Sequence, residues 1–164
     1  MKIIDNFLPD YYHQQIQSVM LGDMFPWHYV PGVQAPDDPP GSYMFYHLFH
    51  DDRVPLSQRS PYYKLIEPLV NKLGVDNYLW RVKSNLYPRT LFRRRTNWHV
   101  DIPGEKMNTA IYYVNTNNGW TRFKKGDRVK SIANRMVIFP GDQLHAGTYC
   151  TDEKVRCVIN FNYD

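Results

Sequence analysis

A chain of 164 residues, 43% hydrophobic and 22% charged, is long enough to bury a core without disulfide or zinc staples and fits one domain over residues 1–164. Its formal charge of +4 favours anionic partners but is modest for a dedicated nucleic-acid binder, and no apolar run approaches the roughly 18 residues of a membrane span. Cys150 and Cys157 are its only cysteines and the opening MKIIDNFLPDYY lacks a signal peptide's apolar core, so a reduced, cytoplasmic protein with two free thiols is expected.

In chain order, LPDYYHQQIQSVML sets Tyr12, Ile16, Val19 and Met20 at helical spacing, with Pro9 suited to a first turn and Gly22 to a stop. From Phe25 to Pro40 prolines and glycines predict a long loop. SYMFYHLFH reads as a strand. SPYYKLIEPLVNKLG reads as a helix capped by Ser60, with Pro61 in its first turn, a Leu65, Leu69, Leu73 stripe, a kink at Pro68 and a stop at Gly74. After Asp76 the period becomes two. Strands are predicted at Asn77–Tyr87, Asn108–Val114, Trp120–Phe123, Arg128–Ile132, Met136–Phe139, His145–Tyr149 and Val155–Tyr163, separated by turn signals such as NTNNG, KKGD and PGD. Strands this short and this evenly spaced indicate a mainly β sandwich or jelly roll, with the two helices outside one sheet.

Chemistry is carried by a few residues. In NWHVD, His99 and Asp101 lie two apart on an extended segment and so point to one side, where an imidazole and a carboxylate can share a metal ion. His145 opens a later strand after the turn PGDQ. Two imidazoles and one carboxylate form the facial triad that leaves positions open on an iron(II) ion. In the last strand, Arg156, Val158, Asn160 and Asn162 alternate with the apolar Val155, Cys157, Ile159, Phe161 and Tyr163. An arginine on an interior face needs a partner, which a dianionic ligand would supply.

The set HVD at His99–Asp101, IYYVN at Ile111–Asn115, LHAG around His145, VRCVINFNY around Arg156, LYP at Leu86–Pro88 and the opening IDNFLP resembles the iron(II)- and 2-oxoglutarate-dependent dioxygenases, in their prolyl 4-hydroxylase-like branch. That resemblance implies a double-stranded β-helix (jelly roll, cupin-like) in which His99, Asp101 and His145 bind Fe(II). It further implies that Arg156 and Tyr113 hold the distal carboxylate of 2-oxoglutarate, that Tyr87 faces the iron-side carboxylate or the substrate, and that Asn160 supports the site from behind. With O2 as the second cosubstrate, the implied activity is hydroxylation of a peptide or protein side chain, proline leading, coupled to conversion of 2-oxoglutarate to succinate and carbon dioxide. Alternation independently puts Thr109, Ile111 and Tyr113 on one face, and Arg81, Lys83, Asn85 and Tyr87 on another.

Competing readings are weaker. HLFHDD sets His47 and His50 three apart, a helical spacing within a strand-like segment, so a polar strand end is favoured over a metal site. His13 and His28 read as surface or loop residues. Arg89, Arg93, Arg94 and Arg95 read as a solvated edge before a phosphate-steering surface, because Lys124, Lys125 and Lys130 spread charge over several loops. The same chemistry on nucleic acid is less favoured, since the demethylases of alkylated bases have a second arginine six positions on, where this chain has Asn162. A metabolite substrate also fits these residues, and a non-catalytic, metal-holding cupin-type barrel would need neither Arg156 nor Tyr113.

Overall fold

The computed structural model describes residues 1–32, 42–104 and 106–164. In chain order these form β1 (Lys2–Ile4), α1 (Asp10–Met20), β2 (His28–Val30), β3 (Met44–Asp51), α2 (Tyr63–Leu73), β4 (Leu79–Pro88), β5 (Asn108–Tyr113), β6 (Trp120–Phe123), β7 (Arg128–Lys130), β8 (Arg135–Pro140), β9 (His145–Gly147) and β10 (Val155–Tyr163). Short 3₁₀ turns occupy Leu56–Gln58 and Asp76–Tyr78. Residues 33–40 of the expected loop lie outside the described residues, and β2 replaces irregular chain in its first part.

Two antiparallel sheets result, a seven-stranded one in the order β1-β8-β5-β10-β4-β3-β2 and a three-stranded one in the order β7-β6-β9. The expected double-stranded β-helix is therefore corrected to a mixed α/β fold with two open sheets. Neither closes into a barrel. The large sheet ends on β1 and β2, each three residues long and paired on one side only. Between β4 and β5 the chain contributes isolated bridges, Arg95 to Thr148 and His99 to His145, in place of a strand that would complete a ring of hydrogen bonds.

Alternation along the central strands separates two cores. Cys157, Ile159 and Phe161 of β10, with Ala110 and Tyr112 of β5, pack against Ile16 and Met20 of α1 and Ile66, Leu69 and Val70 of α2. Val158, Ile111 and Tyr113 face the other way, toward Phe123 of β6 and Val129 of β7. Both helices thus cover one face of the large sheet and the small sheet covers the other, leaving the site between the sheets. Burial in α2 runs through Tyr63, Ile66, Leu69 and Val70, with Leu65 and Leu73 of the expected leucine stripe packed at its edge. Ser60 does not cap the helix; its hydroxyl accepts the Tyr62 N–H in the turn before it, at 3.1 Å. Gly74 ends the helix at φ +71°, the left-handed conformation that glycine adopts without steric cost. No helix among the described residues is long and apolar enough to cross a membrane.

Three histidines are structural. His13, read as a surface residue, is buried with its Nδ1 2.7 Å from the Tyr112 hydroxyl, which donates to Asn134. His47 donates from Nδ1 to the Pro26 carbonyl and accepts the Ser60 hydroxyl, while His50 donates to the Leu79 carbonyl and accepts from Arg59. A register shift between Leu48 and His50 turns both imidazoles toward the helices although they are three apart, which is what a bulge does. Burial pulls all three below the ordinary imidazole value of 6.5, against weaker opposing pulls from Asp10, the Pro26 carbonyl and the Leu79 carbonyl respectively. The unfolded chain then binds protons that the folded chain refuses. The stability these groups contribute is complete above about pH 6.5 and declines as pH falls below it. Thermal denaturation should give a lower midpoint at about pH 5.5 than at about pH 7.5, with a smaller difference in His50→Gln; a midpoint rising on acidification would contradict this assignment.

Candidate metal centre

The residues between β4 and β5 run beside β9 in antiparallel sense. His99 N–H donates to the His145 carbonyl and His145 N–H to the His99 carbonyl, both at 3.0 Å. Residues paired this way point their side chains to the same side, and the imidazole centroids are 4.5 Å apart. His99 Nδ1 donates to the Asn97 carbonyl and His145 Nδ1 to the Gln143 carbonyl, each at 3.0 Å. With Nδ1 carrying the proton, each Nε2 keeps a lone pair for a ligand.

Asp101 Oδ1 lies 3.9 Å from His99 Nε2 and 4.0 Å from His145 Nε2, and the three ligand atoms fall within 4.8 Å of one another. His145 Nε2 is buried and has no hydrogen-bond partner among the described residues. A buried orphan of this kind is costly unless something binds it. Asn162 donates to Asp101 Oδ2 at 3.2 Å and itself accepts two bonds from Arg81, at 3.0 and 3.2 Å. Burial opposes charge on Asp101, yet His145, His99, Arg81 and the Asn162 bond together hold its carboxyl below the usual range. Burial and the neighbouring His145 lower His99, which is neutral at pH 7. Two imidazoles with fixed tautomers and one carboxylate are a donor set that fits a divalent transition metal such as iron(II).

Arg156 sits across the same space, 2% exposed. Its Nε donates to Ser131 Oγ at 2.9 Å and its Nη2 to Thr121 Oγ1 at 3.1 Å; among the described residues it pairs with no carboxylate. The guanidinium lies over Tyr87 and Tyr113, at 5.6 and 5.8 Å from the ring centroids. A buried cation with only neutral partners calls for an anion. One small cavity is lined by His99 and His145, by Arg156 and Thr121, and by Tyr87, Ile111, Gly147, Val158 and Asn160.

Of the residues singled out in the sequence, His99, Asp101 and His145 converge, and Arg156, Tyr87 and Asn160 face the same cavity. Asn160 Oδ1 is buried and, like His145 Nε2, unpartnered among the described residues. Burial pushes the Tyr87 hydroxyl far up, with Arg156 opposing. The Tyr113 hydroxyl donates to Thr121 Oγ1 at 2.7 Å, and Thr121 lines the cavity. Thr121, Ser131 and Gly119 were not found by sequence reasoning, and Arg81 was placed on one face with Tyr87 but given no role. The one local signal was Thr121, a hydroxyl on the inward register of an otherwise aromatic and charged strand. Gly119 is required by packing, since a Cβ there would lie 2.6 Å from Arg156 Cδ and 2.7 Å from Asn117 Oδ1.

Two substitutions test this arrangement. Asn162→Ala frees Asp101 and is expected to weaken Fe(II) affinity about tenfold in anaerobic calorimetry, the usual effect of removing a group that orients a ligand. Gly119→Ala displaces Arg156 while leaving the triad alone, so metal affinity should be unchanged as anion affinity falls; the reverse pattern would contradict the geometry.

No model of a known protein family matches the chain, and no curated protein sequence does. Solved structures do. A Trichoplax adhaerens prolyl hydroxylase, in complex with a peptide fragment of the hypoxia inducible factor oxygen degradation domain, superposes with TM-score 0.66 at 17% identity, covering 99% of this chain and 82% of that one. A Burkholderia pseudomallei oxidoreductase of the 2OG-Fe(II) oxygenase family gives 0.62 at 11% identity over 92% and 76%. A Pseudomonas putida prolyl-4-hydroxylase gives 0.58 at 14% over 99% and 91%. The chain superposes on these three structures over more than nine-tenths of its length, and it carries a two-histidine, one-carboxylate centre.

Proposed function

We propose that residues 1–164 act as one iron(II)- and 2-oxoglutarate-dependent oxygenase unit that hydroxylates a peptide or protein side chain, with proline the leading target. The observation that carries this reading is the shared cavity, which has two ligand imidazoles at one end and, at the other, a buried guanidinium that no carboxylate among the described residues neutralises. His99, Asp101 and His145 would hold the metal and leave coordination positions open. Iron held there would supply activation of O2 coupled to decarboxylation of 2-oxoglutarate.

The chain's own side chains bind and orient. Arg156, fixed by Ser131 and Thr121, presents its remaining N–H groups to the distal carboxylate; a guanidinium fork sets direction as well as affinity. Tyr113 orients Thr121 through its hydroxyl and so acts on that carboxylate indirectly. Ile111 and Val158 supply apolar wall that keeps water from the reacting atoms. Tyr87 and Asn160 offer hydrogen bonds on the cavity side. The peptide reading draws on the fold shared with two prolyl hydroxylases, one of them solved with a peptide.

Anaerobic addition of iron(II) and then 2-oxoglutarate is expected to produce the visible charge-transfer band of a chelated 2-oxo acid. The band should be absent in His99→Ala and His145→Ala. In Arg156→Gln it should appear only at about tenfold to a hundredfold higher 2-oxoglutarate, the loss expected for charge-assisted hydrogen bonds. A band surviving in His145→Ala, or an unchanged 2-oxoglutarate requirement in Arg156→Gln, would defeat the assignment. Mass spectrometry of proline-containing peptides, read for the gain of one oxygen, tests the substrate class.

A further inference from the structure

The face of the small sheet turned away from the cavity collects cations from two distant parts of the chain. On β6, Thr121 and Phe123 point inward, so Trp120 and Arg122 point outward; on β7, Val129 is buried and Arg128 and Lys130 are exposed. Cross-strand register sets Arg122 directly opposite Arg128 and Trp120 opposite Lys130. Beside β9, the chain at Arg95 and Thr148 adds a further row, bringing Arg93 and Arg94 alongside. Arg93, Arg94, Arg95, Arg122 and Arg128 line one groove of about 170 Å³ with Trp120 as its aromatic wall.

This placement is unfavourable for the protein alone. Like charges directly opposite across a strand pair destabilise a sheet. Among the described residues the arginines in ion pairs are Arg53, Arg81 and Arg135, so no carboxylate offsets the groove. Arg128 and Lys130 sit over the Trp120 ring, at 4.6 and 5.4 Å from its centroid, and Arg95 over Trp98 at 4.5 Å. Next to the arginine run, Leu91 and Phe92 are 85% and 75% exposed. Guanidinium groups along a groove with indole and phenyl rings among them match a polymer that alternates phosphates with flat bases. An acidic peptide would satisfy the charges but leave the exposed Phe92 ring without a flat partner.

We propose that the outer face of the small sheet is a binding groove for single-stranded nucleic acid, separate from the metal centre. Arg93, Arg94, Arg122 and Arg128 contact phosphates, and Trp120 and Phe92 stack on bases. The groove does not depend on the oxygenase reading, because no metal ligand lines it. Its function is to hold the enzyme on a nucleic acid, whatever the centre oxidises.

Fluorescence anisotropy with labelled oligothymidylate and oligouridylate tests this. Binding is expected at low salt and should weaken about fiftyfold between about 50 and 200 mM salt if about four phosphates are contacted. Arg122→Gln combined with Arg128→Gln should weaken it about tenfold, and Trp120→Leu by a similar factor. The double arginine variant relieves a like-charge contact, so its melting temperature should not fall, and its iron and 2-oxoglutarate band should match the parent. His99→Ala should bind the oligonucleotides as the parent does. The proposal is overturned by no binding at low salt, by unchanged affinity in the double arginine variant, or by tighter binding of polyglutamate or phosphatidylserine vesicles. Failure of the iron chelate with intact oligonucleotide binding would instead remove the oxygenase reading and leave the groove standing.

Discussion

The site rests on one reciprocal pair of backbone hydrogen bonds, His99 to His145 and back, each 3.0 Å long. That pair sets two imidazoles side by side although they are far apart in sequence. It also carries Asp101 to the same point, because a residue two further along an extended chain returns to the same side. The flanking contacts keep the pair in register: Thr96 N–H donates to the Gly147 carbonyl at 2.8 Å, and Gly147 N–H to Thr96 Oγ1 at 3.0 Å. The carbonyls of Asn97 and Gln143 then choose the tautomer, so backbone geometry decides which imidazole nitrogen is free.

Opposite this pair, β10 supplies the cation. Its pairing with β4 and β5 puts Arg156 across from Tyr87 and Val158 across from both Asn85 and Tyr113. The guanidinium is anchored by hydroxyl groups, which orient it without neutralising it. Asn162, on the same face of β10, ties Arg81 to Asp101. One strand therefore supports both ends of the cavity, and its other face is bonded into the main core by Cys157, Ile159 and Phe161.

Much of this was legible in the sequence where the information is local. Period-two alternation located β6 and β10 at Trp120–Phe123 and Val155–Tyr163, and it assigned Arg156, Asn160 and Asn162 to the face they occupy. Closure was not legible. Alternation tells which side chains share a face but not whether the last strand meets the first, and the irregular chain between β4 and β5 leaves both sheets open. Strands β1 and β2 are too short to show a period. The bulge in β3 reversed an inference from spacing, since His47 and His50 end on one side. The Thr121 and Ser131 contacts to Arg156 join residues 35 and 25 positions away, and no local pattern encodes such a meeting. The same holds for the groove: the run Arg93–Arg95 is visible along the chain, but only the folded sheet brings Arg122 and Arg128 beside it.

The isolated bridges between β4 and β5 have a thermodynamic corollary. Two of the three ligands sit on chain held to the small sheet by intermittent hydrogen bonds, and the third sits on the sheet itself. An ion shared by all three is a crosslink between these parts, so its free energy of binding is also free energy of tethering for that connecting chain. Affinity at the centre and local order in the connection between β4 and β5 are two readings of a single linked equilibrium.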